Sequence, residues 1–108
     1  MAKQMRVLVV RPGATMPVTK VIDGTLESMQ KLVEGYIQCV VLLPGRLVLI
    51  CNEEGILRSL PYNRRVCGHD IYGTFFLCKP SDDRLVGLSR DDVILLTEGI
   101  DWTGEITA

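Results

Sequence analysis

Two nearly unbroken apolar runs, YIQCVVLL from Tyr36 and LVLICN from Leu47, stand on either side of Pro44-Gly45-Arg46. Short, β-branched runs around a Pro-Gly turn read as the two strands of a hairpin. Their hydrophobicity is continuous rather than alternating, which places both strands inside a sheet covered on its two faces. A chain of 108 residues that invests so much apolar content in one hairpin must build further layers around it.

The flanking segments supply those layers. Met5 to Val10 (MRVLVV) reads as a strand ended by Pro12-Gly13, and Pro17 to Ile22 as a second strand forming a hairpin with it. Thr25 is a helix N-cap, with Glu27 in the first turn. Leu26, Met29, Leu32 and Val33 then share one helical face, and Gly35 is the expected C-cap. Ile71 to Cys78 reads as another strand, closed by the Pro80-Ser81-Asp82-Asp83 loop. Ser89 caps a second helix, RDDVILLTEG, stopped by Gly99, and the polar tail after Gly104 is expected to fray. The expectation is one α+β domain over residues 1–108: a small, mostly antiparallel sheet with about two helices packed on one face.

Charge and composition narrow the function classes. A net charge of -1, with no basic run longer than Arg64-Arg65, argues against general nucleic-acid binding. No apolar run approaches the roughly 18–20 residues needed to span a bilayer. The apolar block near the N-terminus is shorter than the about 7–15 residues of a signal peptide, so the expected location is cytoplasmic. An apolar content of 47% is high for a small monomer and points to a homo-oligomer. The cysteines, Cys39, Cys51, Cys67 and Cys78, contain no C-x-x-C pair and read as small buried hydrophobes. Cys67 and His69 lack a second ligand pair, so no metal site is expected.

The polar chemistry is concentrated in CNEEGILRSLPYNRRVCGHD, from Cys51 to Asp70. Glu53 and Glu54 are adjacent carboxylates with nothing nearby to raise a pKa, and they read as a solvated turn. His69 and Asp70 are neighbours on a strand, where successive side chains diverge. There is no nucleophile turn and no phosphate loop. The expectation is therefore a non-enzymatic protein with no catalytic residues and no cofactor. Arg64 and Arg65 offer bidentate recognition of phosphate, Tyr62 a stacking surface and Asn63 a turn. The plainer alternative pairs both arginines with Glu53, Glu54 or Asp70.

The strand ending in Pro-Gly, IDGTLESMQKLVEGYI, CNEEG, LPYNRR and DIYGTFF together resemble a domain-of-unknown-function family. That family occurs in bacteriophages and mobile elements of low-GC Gram-positive bacteria. Its characteristic polar residues fall on Asn52, Glu53, Glu54, Asn63 and Arg64. Cys67-Gly68-His69 and the Pro80 to Arg84 loop have no counterpart in the resemblance. The resemblance implies an accessory protein that counters host defence. With the arginine pair, it leads to an oligomer that sequesters a phosphate-bearing cyclic nucleotide signal. The ligand-binding residues would be Asn52, Glu53, Tyr62, Asn63, Arg64 and Arg65, and Arg64→Ala would abolish binding without harming the fold. The alternative is a protein-binding inhibitor or antirestriction module acting on a host defence enzyme, most sensitive to loss of Glu53 and Glu54.

Overall fold

A computed structural model describes residues 3–107. The chain runs β1 (Gln4–Val10), β2 (Val18–Asp23), α1 (Leu26–Val33), β3 (Ile37–Leu43), β4 (Leu47–Asn52), β5 (Tyr62–Val66), β6 (His69–Tyr72), β7 (Phe75–Ser81), β8 (Arg84–Val86) and α2 (Arg90–Gly99). The main sheet has the order β2-β1-β7-β4-β3, with β8 on β7, and every pairing in it is antiparallel. β5 and β6 form a separate two-stranded ribbon. The α+β class, the antiparallel sheet and the two helices are those expected. Among the described residues no helix is long and apolar enough to cross a membrane.

The expected sharing of one face by both helices is not what the structure shows. Alternate residues of β1, β4 and β7 point to opposite sides of the sheet, and both sides are apolar. Val7, Val9, Val48, Ile50, Phe76 and Cys78 pack with Met29 and Val33 of α1. Leu8, Val10, Leu49, Phe75 and Leu77 pack on the other side with Val66 and Ile71 of the ribbon, Trp102 and Ile106. Val93 and Leu96 of α2 join this second layer. A sheet greasy on both faces must be covered on both, and a helix of eight residues covers only one.

Other departures have local causes. β4 is buried along its whole length, as continuous hydrophobicity implies, but its partner β3 lies at the sheet edge. The run from Ile71 to Cys78 is not one strand. Gly73, at φ 84°, turns the chain from the ribbon into the main sheet. The left-handed residue ending α1 is Glu34, at φ 64°, one position before the expected Gly35. Cys51 and Cys78 are buried, and burial pushes their thiols up to about 11 and about 12, but Cys39 is exposed. The tail is held: the Ile106 amide donates to the Arg65 carbonyl, and the Cys67 amide donates to the Ile106 carbonyl. An apolar residue in a polar tail found a slot beside β5, and Ile106 is buried there.

Both helix starts are capped as expected. Thr25 Oγ1 accepts from the Ser28 amide, and Ser89 Oγ accepts from the Asp92 amide. Asp92 returns the bond to the Ser89 amide and pairs with Lys79 at 2.6 Å. The Lys79 hydrogen bond, then the Ser89 amide, hold the Asp92 carboxyl below its ordinary value. A carboxylate depressed in the folded state stabilises above its unfolded pKa, and this contribution is lost as pH falls through the folded value. Asp92→Asn is expected to lower the melting temperature at pH 6, with the gap to the parent closing below about pH 4. Melts of the two proteins from neutral to acidic pH check this.

Candidate functional site

The segment that reads as loop from Cys51 to Asp70 folds into two opposed pieces. The first is a rigid turn. Asn52 is buried, its side-chain amide donates to the Val33 carbonyl at 3.0 Å, and its Oδ1 accepts from the Glu54 amide at 2.7 Å. The Glu53 amide donates to the Tyr36 carbonyl, and those of Arg58, Ser59 and Leu60 donate back to Glu54, Ile56 and Gly55. Gly55 lies against the ribbon, where a Cβ would sit 2.9 Å from the Tyr72 carbonyl oxygen, so only glycine lets the two pieces meet. The apex of this turn presents Ile56 and Leu57, which are 69% and 82% exposed.

The second piece is the β5–β6 ribbon, turned by Cys67 and Gly68, both at positive φ. Paired residues share a face, so Arg65 and Asp70 lie together on the outside while Arg64 and Ile71 point inward. Arg65 pairs with Asp70 at 3.1 Å, and the Tyr62 hydroxyl donates to the same carboxylate. Tyr62 and Tyr72 meet edge to face at 5.2 Å. Of the pairings weighed for the arginines, Arg65 with Asp70 is the one made.

Between the two pieces lies a cleft of about 600 Å³, floored by Val40, Cys51 and Asn52 of β3 and β4. It gathers Glu53, Glu54, His69 and Asp70 under the rim formed by Ile56 and Leu57. Among the described residues the ion pairs are Arg65–Asp70 and Lys79–Asp92, so Glu53 and Glu54 are neutralised by none. The cleft therefore carries negative charge beside exposed aliphatic surface. Among the described residues no cluster of three or more His, Cys, Asp or Glu side chains is placed to hold a metal.

The six residues expected to bind nucleotide divide between two cavities: Tyr62, Asn63, Arg64 and Arg65 border one, and Asn52 and Glu53 the other. Asn52 holds the turn, and Asn63 donates to the Val10 and Gly73 carbonyls at 2.9 and 2.8 Å. Arg64 is buried, giving Nε to Asn63 Oδ1 and its terminal nitrogens to the Trp102 and Ala14 carbonyls. Burial lowers the pKa of this guanidinium, which stays charged. Its place is structural, so Arg64→Ala is not a fold-neutral change. Tyr62, Asn63, Arg64 and Arg65 together line a second cavity of about 430 Å³, between β5 and the Gly13–Thr15 and Trp102–Glu105 segments, where Tyr62 and Arg65 are the exposed members. Glu53 faces the acidic cleft instead.

Sequence reasoning missed Ile56 and Leu57. The available signal was an aliphatic pair inside EEGILRS that belongs to no strand or helix periodicity. The family model Domain of unknown function (DUF3846) matches residues 5–101. No curated protein and no solved structure matches the chain.

Proposed function

From the premise that the chain belongs to the DUF3846 family, we propose that it is a non-catalytic protein-binding module whose face is the Ile56–Leu57 turn and the acidic cleft beneath it. The observation that carries this reading is the pairing of exposed aliphatic side chains with carboxylates that lack internal cations, on a backbone already locked by hydrogen bonds. A rigid apolar knob beside negative charge fits an apolar pocket rimmed by Arg or Lys on another protein. Tyr36, 65% exposed, is tied to this turn through its carbonyl, which accepts from the Glu53 amide.

Magnitudes favour this reading over nucleotide capture. Burying an isoleucine and a leucine contributes roughly 1.5–3 kcal/mol each. Capture of a phosphate would rest on Arg65, already held by Asp70, and one charge-assisted bond adds only about 1.5–3 kcal/mol. Unpaired Glu53 and Glu54 repel a phosphate from the larger cleft. The resemblance to proteins of phages and mobile elements of low-GC Gram-positive bacteria supplies the setting: a host defence enzyme is the partner, bound and inhibited in the host cytoplasm.

The test is a set of bacterial strains, each carrying one defence system, challenged with phage while expressing the protein. Plating efficiency should rise in one strain with the parent protein and with Arg65→Ala, but not with an Ile56→Asp, Leu57→Asp double variant. With the purified target, the double variant should bind about 100-fold more weakly or worse, since each 1.4 kcal/mol is tenfold. A melting shift of several degrees with a cyclic nucleotide, abolished by Arg65→Ala, would sink this reading and restore the sequestration one.

A further inference from the structure

The main sheet ends in β2 and β3, and the two edges are guarded very differently. β2 (VTKVID) carries Lys20 and Asp23, charges of the kind that prevent a free edge from pairing with another strand. β3 reads IQCVVLL, with no charge and no proline. Its partner in the sheet is β4, and no other strand among the described residues pairs with it. Its flanks carry apolar side chains on both faces of the sheet, bordered by Asp82, Asp83 and Arg84 on one face and by Arg46 and Lys79 on the other. Cys39 and Val41 stand opposite Ile50 and Val48, on the α1 side, and both are exposed. Leu43 lines a cavity of about 640 Å³ with Leu95 and Leu96 of α2, and Leu95 is 70% exposed.

We propose that β3 pairs antiparallel with β3 of a second copy of the chain, across a two-fold axis near Val40, joining the two sheets into one. An uncharged strand laid against itself brings no like charges into opposition. The pairing also satisfies the edge N–H and C=O groups. It closes at two copies, because both β3 edges are consumed and the charged β2 edges become outermost.

Size is consistent with the flanks taking part. Seven residues of strand give a seam about 24 Å long. A stable interface covers about 800 Å² on each partner, more than a backbone seam alone supplies. Cys39 and Val41 above the seam, with Leu43 and Leu95 below it, extend the contact on both sides. The dimer accounts for exposed apolar surface that the cleft does not use, and it stands or falls independently of the protein-binding reading.

Sedimentation of the purified chain from micromolar concentration upward tests the proposal. The expected result is a dimer that Val41→Lys and Leu43→Lys each convert to monomer with an unchanged far-ultraviolet circular dichroism spectrum. Val21→Lys, on β2, should remain dimeric. Cys39 should react with maleimide at least tenfold faster in Val41→Lys than in the parent. A monomeric parent overturns the proposal, as does a dimer that survives both β3 variants or a Cys39 equally reactive in parent and Val41→Lys.

Discussion

Arg64→Ala is expected to lower the unfolding free energy by about 3 kcal/mol. Arg64 is 8% exposed, and its guanidinium donates to Asn63 Oδ1 at 2.8 Å, to the Trp102 carbonyl and to the Ala14 carbonyl. Those acceptors belong to three separate stretches: the ribbon, the C-terminal segment and the β1–β2 connection. Deleting the side chain leaves two carbonyls and an amide oxygen without their donor, at roughly 1–3 kcal/mol for each that stays buried. It also opens a cavity at the ribbon.

Arg64→Lys should recover little of this, because one ammonium cannot reach three acceptors arranged for a planar fork. Arg64→Met fills most of the volume yet still orphans the carbonyls, so it should resemble alanine rather than the parent. Urea unfolding of the three variants is the measurement. A loss below about 1 kcal/mol for Arg64→Ala, the size of one ordinary hydrogen bond, would contradict the structural role given to this cation.

Trp102→Ala should cost about as much, roughly 3–5 kcal/mol, for a different reason. Trp102 is 3% exposed and packs in the layer with Val66, Leu88 and Ile106, and its indole Nε1 donates to the Leu96 carbonyl at 3.1 Å near the end of α2. Its own carbonyl accepts from Arg64. The loss is therefore expected in three places: core volume, the end of α2 and the seating of the C-terminal segment. Because the indole seats the backbone carbonyl that Arg64 binds, the Arg64→Ala, Trp102→Ala double variant should depart from additivity by about 0.5 kcal/mol or more. Single and double variants unfolded in urea close the cycle. Strict additivity would mean that the two residues stabilise the fold separately.

These expectations bear on the protein-binding reading through the choice of variants. Ile56, Leu57 and Arg65 can be changed without touching the core, because their side chains lie outside it. Arg64, Asn63 and Asn52 cannot, since each holds backbone carbonyls or amides in place. Loss of function in any of the latter would report on folding first.

How far the site was legible follows from the same distinction. LPYNRR reads as a polar loop because arginine and asparagine are poor strand formers and usually exposed. In the fold it becomes a strand whose alternation decides everything: Arg64 turns inward and Arg65 outward. A doublet cannot say which member faces which way until its register against β6 is set. The carboxylates of NEEG and the Asp of CGHD, distant in sequence, become neighbours because Gly55 lets the turn rest on the ribbon.

The sequence by itself determined the local elements: the hydrophobic strands, the capped helices with Thr25 and Ser89 at their starts, and the α+β class. Those features depend on periodicity, turn chemistry and hydrogen bonds between residues a few positions apart, all of which are written in the local order of side chains. Tertiary structure alone decided that the helices lie on opposite faces, that β3 is an edge while β4 is buried, that Arg64 is structural, and that an aliphatic knob stands over an acidic cleft. Each of these depends on which distant surfaces meet to cover a sheet that is apolar on both sides, and a linear pattern carries no record of that pairing.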